Sequence, residues 1–328
     1  MPHARPTRFS RRRLLTLAML VASGCFAAFT LAACGPSDPR PAVKVVASVG
    51  VLADAAFKIG YPRAQVVAIV GAAVDPHRFE PSPDQLDQVR DADLVLAVGL
   101  GLERRALPVL TRAREGKSGV VSIGEALDRA RLLPGSEPGG FDPHIWFDPS
   151  LWAGAVEQVR DALIAADPSG RSVYEKNAAE YIAALNELHA QTRSRTSWVP
   201  KGSRVIVSSH ACFAYFARAY DFEAIGLQGV GGDEHATTEV LDRAAHLIIA
   251  RRLPAIFVDT SVSPKSIEDL AALVESRGHH VTISGPLYGS AIGPEGTSEG
   301  TYLGMFKHNL GHIATDLGAT PPAQDRGP

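Results

Sequence analysis

Three histidines stand directly after candidate strands, and their chemistry is that of a metal site. His77 lies in Asp75-Pro76-His77-Arg78-Phe79-Glu80-Pro81-Ser82, ahead of a helix start at Pro83. His144 lies in Asp142-Pro143-His144-Ile145-Trp146-Phe147-Asp148-Pro149, and His210 follows Val207-Ser208-Ser209. A neutral imidazole offers a nitrogen lone pair that suits zinc and neighbouring transition metals. One loop histidine says little, because most are solvated or hydrogen-bonded. Two Asp-Pro-His segments and a Ser-His form a joint pattern, since ligands of open α/β sheets gather at the carboxyl ends of strands. The remaining histidines lack this placing. His3 lies in the N-terminal basic stretch, His189 on a long helix, His279-His280 in a turn, and His308 and His312 on one helix face without a third partner. His246 reads as a surface residue, as does His235, whose loop can face the cleft.

The elements that must position the three imidazoles are legible from residue 42 onward. Short β-branched runs alternate with amphipathic stretches, the pattern of a parallel sheet covered by helices. Strands are expected at 43–48, 66–70, 94–98 and 120–123, then at 204–208, 222–225, 255–258 and 281–284. The fold class is therefore α/β, with two lobes that each hold a four-stranded, mainly parallel sheet flanked by helices. Polar-Pro pairs at Ser82-Pro83, Asp148-Pro149 and Ser263-Pro264 mark helix starts. Between the lobes, 171–198 runs without Gly or Pro, with Tyr174, Ala178, Tyr181, Leu185 and Leu188 at helical spacing. At about 1.5 Å per residue that helix is roughly 40 Å long, enough to join both lobes. The expected division is an N-terminal lobe at 42–170, the linking helix at 171–198, a C-terminal lobe at 199–318 and a tail at 319–328.

The first 34 residues have the layout of an export signal. Arg5, Arg8 and Arg11 to Arg13 precede an apolar run that ends in Leu31-Ala32-Ala33-Cys34-Gly35. The ending resembles a bacterial lipobox, which implies cleavage before Cys34 and a lipid on its sulfur; Ser10-Arg11-Arg12-Arg13-Leu14-Leu15 resembles a twin-arginine signal, so the export route stays open. Residues 35–41, rich in Pro and small polar types, read as a tether. Localisation is expected outside the cytoplasm, on the outer face of the cytoplasmic membrane or in the periplasm. Only Cys212 falls in the body of the chain, so no disulfide framework forms there. With 33 Lys plus Arg against 35 Asp plus Glu, no broad field draws the chain to nucleic acid, and a small specific ligand is expected instead.

Taken together, the histidine segments resemble solute-binding protein family 9, the zinc and manganese solute-binding proteins of ABC importers, whose members carry Asp-Pro-His twice and a later Ser-His. The resemblance continues through Phe213-Ala214-Tyr215-Phe216-Ala217-Arg218-Ala219-Tyr220, Ile256-Phe257-Val258-Asp259 and Gly300-Thr301-Tyr302-Leu303-Gly304-Met305 with His308-Asn309, and covers nearly all of 43–317. It implies extracytoplasmic capture of a divalent transition metal by a monomer, with an ABC permease and its ATPase as partners. Zinc is the favoured metal, with manganese or iron(II) as alternatives. There are two departures. Family members commonly supply an aspartate after the last strand, where Leu287-Tyr288-Gly289-Ser290-Ala291 places Ser290, and the stretch 133–141 holds no histidine-rich loop. The fourth ligand therefore falls to water, Ser290, Glu295, Glu299 or Glu234.

Enzymes are the rival class, because three histidines with an open position also describe a zinc that activates water. Glu80 and Asp142 lie near the histidines, but no His-Glu-x-x-His motif is present, and no Gly-x-Ser-x-Gly elbow surrounds Ser209. No catalytic residue is assigned. A surface adhesin or metal chaperone would share the same ligands.

Overall fold

The computed structural model describes Met1 and residues 42–230 and 236–321. Cys34 and the expected signal and tether lie outside the described residues, Met1 apart, and so do Glu234 and His235.

The eight expected strands form. β1 is Val43–Ala47, β2 Ala64–Ala68, β3 Leu94–Ala97 and β4 Val120–Ser122; β5 is Val205–His210, β6 Glu223–Gln228, β7 Ala255–Asp259 and β8 Thr282–Leu287. Two four-stranded sheets result, ordered β2-β1-β3-β4 and β6-β5-β7-β8. Every pairing is parallel. The central strands are buried on both faces, which is why Leu94–Ala97 and Val205–His210 read as continuous runs rather than alternations. One boundary matters for the site. β5 does not stop at Ser208 but continues to His210, which pairs with Gln228 of β6.

Nine helices of more than one turn cover the sheets among the described residues: α1 Gly50–Gly60, α2 Pro83–Asp91, α3 Ala106–Ala113, α4 Pro149–Ala166, α5 Arg171–Ser197, α6 Ala214–Tyr220, α7 Thr238–Arg251, α8 Lys265–Ser276 and α9 Tyr302–Asp316. Two of the three expected starts hold as read. Ser82 and Gln85 form a reciprocal capping box at α2, and Asp148 caps α4 by accepting from Ser150 and Leu151 backbone N–H. The third is one residue late, because Pro264 sits outside α8 while Ser263 Oγ accepts from Lys265 N at 3.3 Å. Helix α5 has 27 residues and buries Tyr174, Ala178, Tyr181, Leu185, Leu188, Thr192 and Thr196 along one stripe. Spacings of three and four keep that stripe on one side for the whole length.

The lobes share a core. One continuous apolar cluster runs from Val43 of β1 to Leu317 after α9, and it includes Trp146, Trp152, Phe213, Tyr302 and Phe306. A second cluster is confined to the C-terminal lobe, around Val205, Leu227, Ile248 and Leu270. Phe147 and Phe213 meet with ring centroids 4.6 Å apart, and Trp152 stacks on Tyr302 at 5.9 Å, a close approach that adds to the burial of each ring. No helix among the described residues is long and apolar enough to cross a membrane.

Candidate metal centre

The two Asp-Pro-His segments fold by the same local device. In each, the aspartate carboxylate accepts the backbone N–H of the histidine two residues on: His77 N to Asp75 Oδ1 and His144 N to Asp142 Oδ1, both at 2.9 Å. Each turn follows from residue type, since proline fixes the middle φ and a short carboxylate can reach its own backbone. The turns aim His77 and His144 at one point, with their Nε2 atoms 3.3 Å apart. His210 reaches the same point from the end of β5, its ring centroid 4.9 Å from that of His144 and 5.4 Å from that of His77. The ligand atoms of the three residues lie within 4.8 Å of one another. Facing nitrogens at such distances share at most one proton per pair, and a cation between them removes the lone-pair repulsion.

Two of the three imidazoles, His144 and His210, have an outer partner. His144 Nδ1 lies 2.8 Å from Asp142 Oδ1, so an Nδ1–H donor fixes the tautomer that leaves Nε2 free toward the centre. Asp142 is in turn framed by Tyr215 of α6, whose hydroxyl donates to the Asp142 carbonyl at 2.9 Å and accepts from Leu133 N at 3.0 Å. The ring nitrogens of His210 face Ser290 Oγ at 3.5 Å and the Val230 carbonyl at 3.2 Å.

The centre is nearly dry. His77 is 5 % exposed, His144 0 % and His210 1 %. Burial, reinforced by positive charge on His144, His210 and Arg104, holds the His77 imidazole down at about 2. His144 is likewise held well below the ordinary histidine range, first by burial and then by His210. Burial pushes the Asp142 carboxyl up to about 7, against the opposing pull of the His144 N–H and the His210 charge. An enclosed pocket thus keeps His77 and His144 neutral well below the ordinary histidine value near 6.5. One cavity of about 300 Å³ opens onto the site at His77, walled by Arg104, Glu125, Arg129, Glu137 and Phe141. Arg104 and Glu137 form an exposed ion pair at 3.2 Å on its rim.

Of the fourth-ligand candidates, Ser290 is buried at 1 % exposure and stands beside His210. Glu295 and Glu299 do not join the cluster. After Ser290 the chain turns back on itself, Gly293 N donating to Glu299 O, and Glu295 lines a separate cavity beside α1 and β2. Glu299 instead lies 3.7 Å from His308 Nδ1. Glu80 pairs with Arg105 on the surface, and so offers no base to the histidines. His189 and His308 lie outside the cluster and are partly enclosed, with His189 Nδ1 3.1 Å from the Tyr220 hydroxyl and His308 Nε2 3.0 Å from the Pro286 carbonyl. Asp142 as the orienting partner of His144 went unread in the sequence, although an aspartate two residues before each N-lobe histidine was its signal.

Comparison with known proteins agrees with this geometry. A family model described as zinc-uptake complex component A, periplasmic, matches residues 45–316. The manganese-binding lipoprotein MntA of Bacillus subtilis (strain 168) is 36 % identical over 302 residues, 91 % of this chain and 98 % of that protein. The zinc-binding protein TroA of Treponema pallidum (strain Nichols) is 36 % identical over 281 residues, 86 % of this chain and 90 % of that protein. The solved structure of the Treponema pallidum periplasmic zinc-binding protein TroA superposes with a TM-score of 0.80 at 36 % identity, covering 84 % of this chain and 99 % of that one.

Proposed function

The chain belongs to the zinc-uptake component A family, and from that premise we propose that it captures zinc outside the cytoplasm through His77, His144 and His210 and hands it to an ABC import permease. It is a metal-binding substrate-binding protein of an ABC transporter. The metal is the open part, since relatives are named for manganese, zinc and iron. The observation that carries the zinc reading is the donor set: three buried imidazoles with a serine beside them. Zinc is content with four ligands and nitrogen donors, whereas manganese favours hard oxygens and higher coordination. Water or the Ser290 hydroxyl completes the coordination, and the ion's charge is balanced by Asp142 through the His144 ring.

Export and anchoring follow the N-terminal reading, with lipid on Cys34 holding the protein to the membrane as a monomer beside the permease and its ATPase. Relatives named as ABC transporter substrate-binding lipoproteins support that assignment. Cys34→Ser should lose the lipid mass and the membrane fractionation together. Nothing in the donor set calls for catalysis, as no carboxylate among the described residues stands free beside the three rings to act as a base, and we read the protein as a carrier rather than an enzyme.

The test is elemental analysis of protein purified without added metal, followed by competition at equal free zinc and manganese. Zinc should be retained and preferred. Tighter manganese binding would overturn the choice of metal, and binding left unchanged by His77→Ala would overturn the site.

A further inference from the structure

A second set of donors lies behind the first. His210, Cys212 and Asp259 also bring their ligand atoms within 4.8 Å of one another, and all three are buried, at 1 %, 0 % and 2 % exposure. Cys212 is a free thiol, and its Sγ points at Asp259 Oδ2 across 3.8 Å. The carboxylate is held in place from its other oxygen, Oδ1 accepting from Ser261 N at 2.7 Å and Ser261 Oγ at 2.5 Å. Oδ2 is thus left toward the thiol. Gly289 borders the group: a Cβ there would run into Asp259 Oδ2 and lie 2.9 Å from Cys212 Sγ, so the backbone beside Ser290 packs directly on both donors. The pairing has little use as a structural bond, since a thiol at this distance is a weak donor to a carboxylate.

We propose that His210, Cys212 and Asp259 form a second seat for a thiophilic divalent cation, so that one ion can pass between an outer position on His77, His144 and His210 and an inner position on His210, Cys212 and Asp259. This rests on the reading of His210 as a ligand. Thiolate, imidazole and carboxylate together are a zinc-type donor set and a poor one for manganese. On entry the metal–sulfur bond replaces S–H, and the thiol proton leaves to solvent. The inner seat adds anionic atoms that bind the ion directly, where the outer one has only imidazole rings and Ser290. Both seats use the one imidazole, and two dications so close would repel strongly in a dry site, so occupancy is one ion per chain. Its consequence is selectivity: a cation that tolerates sulfur has two seats, and a hard cation has one.

Cobalt(II) reports sulfur ligation through thiolate-to-metal charge-transfer absorption in the near ultraviolet. The mature protein and its His77→Ala, His144→Ala and His77→Ala/Cys212→Ser variants are titrated with cobalt(II), with circular dichroism as the check on folding. Each single histidine variant should still take up one cobalt, at least tenfold more weakly than the unmodified protein, and show the charge-transfer band. Adding Cys212→Ser should remove that band. Two histidine variants guard against one failing to fold. Folded histidine variants that bind cobalt without the band, or a band that survives Cys212→Ser, would overturn the inner seat while leaving the outer site intact. A stoichiometry of two in the unmodified protein would overturn the single-ion alternation. Failure of the unmodified protein to bind cobalt or zinc at all would sink the outer site as well.

Discussion

The two lobes carry sheets of the same strand order yet supply their donors in opposite ways. The N-terminal lobe places His77 and His144 in loops and fixes each by a side-chain turn, Asp75 and Asp142 accepting the histidine N–H. The C-terminal lobe places His210 inside a strand, where the ladder to Gln228 fixes the backbone. A loop histidine needs a local device to lose its freedom before the ion arrives; a strand histidine inherits that order from the sheet. The N-terminal contribution should therefore be sensitive to outer partners, and the C-terminal one far less so.

That contrast can be broken by substitution. The largest effect is expected from removing a ring: His144→Ala should weaken zinc by roughly a hundredfold or more, one ligand's share of the total for a structural zinc site. His210→Ala should do the same, as read by competition with a chromophoric chelator. Next comes Asp142→Asn, which keeps the size but alters the partner of His144 Nδ1 and should cost about 10- to 100-fold. Ser290→Ala, the corresponding change beside His210, should cost less than about threefold if the strand alone orders that ring. Equal losses from the two would erase the proposed difference.

A third test uses acid. His77 and His144 are held well below the unfolded histidine value of about 6.5, so as pH falls from there toward 4 the unfolded chain binds two protons that the folded metal-free protein refuses. Asp142, raised to about 7, works the other way, keeping one proton in the folded state that the unfolded chain has lost above about 4. Two protons against one leave the unfolded state ahead. The metal-free protein should lose on the order of 1 kcal/mol per pH unit as pH falls from 6.5 toward 4. Calorimetric midpoints would show it, and His77→Gln/His144→Gln should flatten or reverse the slope. The smallest effect sharpens the choice of metal: Ser290→Asp should tighten manganese more than zinc by several-fold, because it adds a hard charged oxygen beside His210.

Much of this was readable because it rests on local rules. Strand runs, the two capped helix starts and the long buried stripe of Arg171–Ser197 each have a period or a cap that acts within a few residues. The histidines stood out for the same reason. What escaped was set by distant contacts. Ser209 and His210 look like loop residues until Gln228 pairs with the strand, and Glu295 and Glu299 look able to cover the cleft until the turn at Gly293 takes them away. Cys212 and Asp259 are 47 residues apart and meet only through the parallel register of the second sheet.

The enclosure of the three rings also bears on time. Only His77 reaches the 300 Å³ cavity, so an arriving ion meets that nitrogen first and sheds its hydration shell in stages as it sinks toward His144 and His210. Escape retraces those stages in reverse, from two rings that are almost fully enclosed. Residence is then governed by the loosening of His77 rather than by diffusion, and a receiving permease that shifts the Asp75–His77 turn would shorten it without touching either of the deeper rings.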